Sequence, residues 1–188
     1  MVKGPSVVSL SKEDVRKLVD SAISVRDRVL IKMLYYTGMR REEVCSLGVE
    51  DVDLLKPQIA IQQGRARTVP IPKDLARDLR TLIGHRSSGA VFVSRRGNKI
   101  APRTINHVVA QVGMHAGIKN PNPQRRNITP QLLRHTFALH YLKHNGEIQN
   151  LAYILGHSSV STTYSAYRRP SQEGVVGEYR EIVREMEV

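Results

Sequence analysis

Apolar residues recur at helical spacing along most of the chain. Ser11 and Asp14 form a capping-box pattern, and Val15, Leu18 and Val19 follow it on one predicted helix face. Thr129 before Pro130 marks another helix start, because a hydroxyl can cap the free amides and proline fits the first turn. Further helices are predicted up to Gly38, over 40–47, over 73–83, up to Gly117, from 130 to about 145, over 148–155 and after Pro170.

Two stretches alternate apolar and polar residues instead. "PQIAIQ" (57–62) and "RTVPIP" (67–72) flank Gly64 and predict a β-hairpin. "AVFVS" (90–94) predicts a further short strand, whereas the Asn and Pro content of 117–130 predicts a loop. The fold class expected is mainly α with a small antiparallel β-sheet (α+β), in one domain.

Charge narrows the possible partners. The 188 residues carry 29 Lys and Arg against 17 Asp and Glu, a net charge of +12, which favours a polyanion such as nucleic acid. The basic residues are spread from Arg26 to Arg169, so a membrane-surface helix is disfavoured, and no apolar run is long enough for a membrane span. Without an export-signal pattern, and with Cys45 as the single cysteine, the expected location is cytoplasmic and DNA-associated.

Two arginines stand where the helical pattern predicts apolar or small residues. Arg40 follows a glycine at a helix junction, and Arg134 lies between Leu133 and Phe137. A buried guanidinium needs a partner, which for Arg40 could be Glu43 one turn later. The alternative is that both arginines converge on a phosphate, whose oxygens match the planar fork of donors.

Three segments resemble the signature boxes of the tyrosine recombinase family, which is phage integrase-like and includes Xer-like proteins. They are "YYTGMRREEV", "TPQLLRHTF" and "LGHSSVSTT", in that order. The resemblance implies a helical catalytic domain with a three-stranded sheet, in which a tyrosine attacks DNA and forms a 3′-phosphotyrosyl link without cofactor or metal. It makes Arg40 and Arg134 the phosphate clamp, His157 the histidine of the third box, and Glu43 an acid that orders the site.

The pattern departs from the family at two catalytic positions. Gln131 stands where the family has a histidine three residues before the second arginine, and an amide cannot shuttle a proton. The hairpin "IQQGRART" has no lysine to protonate the leaving 5′ oxygen. Arg65 can stabilise charge there but holds its proton too tightly. Lys99, from another loop, is a further candidate for contact with DNA or the site.

The nucleophile has two candidates. The family tyrosine most often lies nine residues after the histidine, where this chain has Ala166. Tyr167 lies ten residues after His157 and Tyr164 seven. One inserted residue is absorbed more easily than a shortening by two, so we favour Tyr167 and expect Tyr164 to pack or contact the backbone. Arg168 and Arg169, which follow Tyr167, either bind the DNA backbone or are simply solvated.

The domain expectation is a catalytic domain over 1–170, without the N-terminal DNA-clamping domain of the family. A helical tail over 171–188 would dock on its own body or on a neighbouring protomer. Double-stranded DNA is the expected partner, with self-association on it. Two other functions stay open: a DNA-binding protein of this fold that lost catalysis, and a helix-turn-helix regulator built on 148–164.

Overall fold

The computed structural model describes residues 8–94 and 96–167. Helices dominate, as expected, and one small sheet lies between α3 and α4 in chain order. The helices are α1 (Lys12–Asp20), α2 (Val25–Thr37), α3 (Arg41–Ser46), α4 (Lys73–Ile83), α5 (Pro102–His115), α6 (Pro130–Lys143), α7 (Ile148–Leu155) and α8 (Val160–Tyr167). The strands are β1 (Val52–Asp53), β2 (Gln58–Ile61) and β3 (Arg67–Pro70).

Helix α2 lies at the centre of the core and contacts α1, α4, α5 and α6. All six residues from Val29 to Leu34 are buried, so this helix has no solvated face along its middle. Lys32 is the one charged residue among these six. Its Nζ lies 2.6 Å from Asp78 and 3.1 Å from Asp74 on α4. Both carboxylates hold the ammonium charged, and they raise the pKa of Lys32 against the opposing effect of burial.

The sheet is antiparallel, in the order β1-β2-β3. Ile59 pairs with Val69 and Ile61 with Arg67, so the inward positions of β3 are Arg67 and Val69. An arginine therefore occupies a position that the alternation assigns to an apolar residue. This placement brings a guanidinium under α7, which contacts β3.

Helix ends follow the predicted chemistry. The capping box of Ser11 and Asp14 forms, and the Thr129 hydroxyl accepts a hydrogen bond from the Leu132 amide. Gly38 and Gly156 end α2 and α7 in the left-handed conformation, at φ +59° and +65°. Both positions are also crowded, since a Cβ would lie 2.7 Å from Leu155 at Gly38 and 2.6 Å from Arg67 at Gly156.

One expectation was wrong. Residues 90–94 form isolated bridges, Gly48 to Ala90 and Val93 to Lys99, rather than a regular strand. A helix that was not predicted, Val160–Tyr167, follows Gly156 and carries both candidate tyrosines. Its hydroxyl-rich sequence gave no apolar stripe from which a helix could be predicted.

Candidate active site

A cleft of about 660 Å³ opens between α3, α5, α6 and α8. Five of the predicted site residues line it, together with Arg125 and His135, which were not predicted. The predicted residues are Arg40, Gln131, Arg134, His157 and Tyr167. Residues 94 positions apart, Arg40 and Arg134, therefore meet at one concave surface.

Arg134 is buried on α6 and fixed by backbone carbonyls. Its Nη1 donates to the carbonyl of Gly38, and its Nη2 donates to that of Leu155 at 2.8 Å. Nη2 also lies 3.1 Å from Nε2 of His157. Burial, followed by the charge of Arg40, lowers the pKa of Arg134 to about 10, which leaves it a cation at neutral pH. These bonds use three of the five guanidinium protons, so donors remain for an anion in the cleft.

The contacts of His157 determine which ring nitrogen carries its proton. A guanidinium only donates, so Nε2 is the acceptor, and Nδ1 donates to the Thr163 hydroxyl at 2.7 Å. Burial and the charges of Arg134 and Arg40 lower the pKa of His157 to about 4. The ring is therefore neutral at pH 7. It can donate to a phosphate through Nε2 only after taking up a proton there.

Glu43 forms its main ion pair with Arg67, which was not among the predicted site residues. Arg67 donates Nη1 and Nη2 to the two carboxylate oxygens at 2.8 and 3.0 Å, and both residues are buried. The Arg40 guanidinium lies 3.5 Å from the same carboxylate, whose other oxygen accepts from the Arg40 backbone amide at 2.7 Å, and the Arg40 side chain is 44% exposed. The ion pair with Glu43 that the sequence left open for Arg40 is therefore present but long, and the chain turn at Gly38 directs the Arg40 side chain into the cleft.

Tyr167 reaches the cleft and Tyr164 does not line it. The Tyr167 hydroxyl lies 2.7 Å from Nδ1 of His135, and the two rings meet edge to face with centroids 5.7 Å apart. Burial raises the pKa of the Tyr167 phenol, partly offset by the charge of Arg134. Tyr164, one turn earlier on α8, is 48% exposed.

The hairpin docks beside the cleft rather than within it. Arg65 donates from Nη1 to the carbonyl of His157, and Arg67 donates from Nε to the carbonyl of Ile154 at 2.6 Å. Lys99 lies 3.4 Å from the Ser46 hydroxyl, which in turn donates to Gln63 at the hairpin turn. Neither Arg65 nor Lys99 is among the described residues that line the cleft.

A loop with side-chain hydrogen bonds brings Arg125 to the same cleft. The Asn120 amide donates to the carbonyl of Asn127 at 2.7 Å, closing the loop across its base. Asn122 accepts from the Gln124 amide at 3.0 Å through its side chain and from the Arg125 amide at 2.9 Å through its carbonyl. The Asn-rich sequence that predicted a loop thus also fixes its shape.

Some predictions fall outside the described residues: Arg168, Arg169 and the tail over 171–188. Within 8–94 and 96–167 the structure shows no group of three or more His, Cys, Asp or Glu placed to hold a metal ion. No helix in those ranges is long and apolar enough to cross a membrane.

Two of the missed residues had different signals in the sequence. Arg67 shares the inward face of "RTVPIP" with Val69 and Ile71, so strand alternation could have identified it as buried and in need of a carboxylate. His135 lies within the second box, next to Arg134, but its place there did not indicate its partner. The contact of His135 with Tyr167 forms because α6 and α8 pack against each other. Helical spacing within one segment does not reveal such packing.

The fold is that of the tyrosine recombinase class. The chain belongs to the phage integrase family, whose model matches residues 9–173. Tyrosine recombinase XerA of Pyrococcus furiosus is 34% identical over 165 residues, which cover 82% of this chain and 55% of that protein. The chain therefore spans about half the length of this curated relative.

Solved structures give the same architecture. The crystal structure of XerA recombinase superposes with a TM-score of 0.77 at 30% identity, covering 96% of this chain and 66% of that one. The Tn1549 transposon integrase, solved in complex with circular intermediate DNA, has a TM-score of 0.78 at 16% identity and covers 96% and 68% of the two chains. At that identity the second likeness concerns the fold alone.

Proposed function

We propose that this domain cleaves and rejoins DNA through a covalent 3′-phosphotyrosyl link on Tyr167. The observation that carries the proposal is the position of Arg134. It is a buried cation that contacts carbonyls and a neutral imidazole, and in the described ranges no carboxylate lies within ion-pair distance of it. A buried charge of this kind is costly unless an anion completes it, and Tyr167 opens onto the same cleft.

Each of these side chains has one role in the proposed reaction. The Tyr167 oxygen attacks the phosphorus, the bond from phosphorus to the 5′ oxygen breaks, and negative charge grows on the non-bridging oxygens. Arg134 and Arg40 donate to those oxygens, and each preorganised donor of this kind typically contributes about 3–4 kcal/mol. In rejoining, the 5′ hydroxyl attacks and the phenol leaves.

Double-stranded DNA is the proposed substrate. The net charge of +12 and the basic cleft, with Arg125 presented by its loop, favour a polyanion whose phosphates release counterions on binding. The family to which the chain belongs agrees with this choice. Affinity should then fall steeply as salt rises. Arg168 and Arg169 remain proposed backbone contacts.

We also propose that cleavage needs no metal ion, because arginines already supply the charge that the transition state requires. Adduct formation should then persist in EDTA. Exchange between two duplexes requires at least two phenols, so we propose self-association on DNA, which sedimentation with and without duplex would measure.

The experiment is covalent trapping on nicked duplexes. A duplex pool, randomised around a nick, would be incubated with the domain, and adducts resistant to detergent would be isolated and sequenced. The wild type should accumulate adducts because the 5′-hydroxyl fragment next to the nick diffuses away. Tyr167→Phe should form none.

Tyr164→Phe is the matched control, since it removes a hydroxyl from the same helix at an exposed position. It should keep adduct formation. Adducts that persist in Tyr167→Phe and vanish in Tyr164→Phe would make Tyr164 the nucleophile. DNA retention with no adduct in the wild type would favour the alternative, a binding protein without catalysis.

A further inference from the structure

We propose that His135 accepts the phenolic proton of Tyr167 during cleavage and returns it during rejoining. This role rests on the proposed function and assigns a catalytic group that lies within the second box but was not among the predicted site residues. It gives the Tyr167 proton a specific destination. The Gln131 side chain, at the position where the resemblance expects a histidine, cannot take it.

The geometry is direct. Nδ1 of His135 lies 2.7 Å from the Tyr167 hydroxyl, within the range for proton transfer through one hydrogen bond. His135 follows Arg134 on α6, so the same helical turn holds the phosphate clamp and the proton acceptor. Both rings are only partly exposed, which limits competition from water.

The other titratable groups that line the cleft are already paired or have no basic lone pair. The carboxylate of Glu42 pairs with Nε of Arg41 at 2.6 Å. His157 uses Nε2 to accept from Arg134 and Nδ1 to donate to Thr163. Arg40 and Arg125 are cations without a basic lone pair. Among the described residues that line the cleft, His135 is therefore the imidazole whose ring nitrogen contacts the phenol.

The charges that face His135 support a neutral ring before reaction. Burial comes first and the charge of Arg134 second in lowering the pKa of His135, and His157 is the other imidazole nearby. A neutral imidazole can accept a proton at neutral pH. The imidazolium that results would be stabilised by the second negative charge that develops on the phosphoryl group.

In cleavage the bond from the Tyr167 oxygen to phosphorus forms, the bond to the 5′ oxygen breaks, the phenolic proton moves to Nδ1 of His135, and water protonates the 5′ oxygen. In rejoining the 5′ hydroxyl loses its proton to water and attacks. The phenol then leaves and regains its proton from His135.

The test compares single-turnover adduct formation on duplexes recovered from the trapping pool. His135→Gln keeps a polar group near the phenol but cannot take its proton, so the rate should fall by about 10²–10⁴-fold. His135→Ala should be equally slow and should partly recover with added imidazole. His115→Gln, at an exposed position on α5, is the matched control and should match the wild type.

Substrates with sulfur in place of the bridging 5′ oxygen locate the defect, because a thiolate leaves without a proton. The His135→Gln defect should persist on them, and rescue would overturn the proposal. A wild-type rate in His135→Gln would overturn it too, since a hydrogen bond would then suffice. If the wild type itself forms no adduct, the proposed function fails as well, which separates that outcome from a fault in His135 alone. Urea unfolding of each variant would confirm that the fold is kept.

Discussion

Two buried arginines in this domain have opposite surroundings. Arg67 on β3 is neutralised by a two-pronged pair with Glu43, at 2.8 and 3.0 Å. Arg134 on α6 is just as inaccessible, yet its described hydrogen bonds go to the carbonyls of Gly38 and Leu155 and to His157. One guanidinium has its counter-ion inside the protein, and the other retains a net charge facing a cleft.

This difference indicates that Arg67 has a structural role, whereas Arg134 is placed to bind an anion. The Arg67 pair joins α3 to the hairpin, and the Nε of Arg67 extends the link to α7 through Ile154. Arg134 instead holds two carbonyls and the ring of His157 in place while keeping donors for a ligand. Removing Arg67 should therefore affect folding most, and altering Arg134 should affect chemistry most.

The largest effect is expected for Arg67→Met. It leaves the carboxylate of Glu43 buried with the Arg40 backbone amide at 2.7 Å and the more distant Arg40 guanidinium as its partners, and breaking a buried pair in this way costs about 3–5 kcal/mol. Urea unfolding would measure the loss. The double variant Arg67→Met with Glu43→Leu removes both charges and should recover most of it. A single variant within about 1 kcal/mol of the wild type would mean that Glu43 finds another partner.

Arg134→Lys tests whether the second buried arginine acts in the chemical step. The ammonium keeps the charge but cannot reach two carbonyls and a phosphate together, so trapped-adduct formation should slow by about 10²–10³-fold. Its cost in unfolding free energy should be smaller than that of Arg67→Met. Arg16→Lys, on the exposed face of α1, is the matched control. A slower rate without any change in DNA retention would place the effect in the chemical step.

The elements that the sequence predicted well are those with strong local signals. Capping residues, a two-residue period and glycines at helix ends fixed α1, α2, α4, α6, α7 and the hairpin. The strand expected at 90–94 failed because an apolar run can be buried in bridges as well as in a ladder. Helix α8 was missed because its residues are mostly Ser, Thr and Tyr, whose helical tendency is weak.

The site residues also divide into those that sequence signals predicted and those that they did not. Arg40, Arg134, His157 and Tyr167 were predicted from motif resemblance, and the structure brings them to one cleft. Contacts between segments, such as the pair of Arg67 with Glu43 and that of His135 with Tyr167, depend on tertiary packing. No spacing within a single segment encodes them, although the inward position of Arg67 was a usable hint.

Gly156→Ala should weaken the junction next to Arg67. The left-handed backbone costs about 1–2 kcal/mol for any residue with a Cβ, and here that atom would also lie 2.6 Å from the Arg67 guanidinium. Gly117→Ala is a matched control, because its φ of +66° is nearly the same but the space around it is open. The difference between their unfolding free energies isolates the contact with Arg67. Equal losses would show that the guanidinium shifts without cost.

The smallest effect is expected in acid and concerns His157, the neutral partner of Arg134. Its pKa is about 4 in the folded protein against about 6.5 for a free imidazole, so between these values the unfolded chain binds more protons. Stability should therefore fall as pH drops from about 6.5 to about 4. Because the ring is partly exposed, the His157 contribution should stay under about 1 kcal/mol per pH unit.

His157→Asn should flatten this decline in urea unfolding without removing it, since burial also lowers the pKa values of His135 and His140. An unchanged slope in that variant, with His115→Asn as control, would show that His157 is protonated just as readily in the folded chain and that Arg134 does not depend on its neutrality.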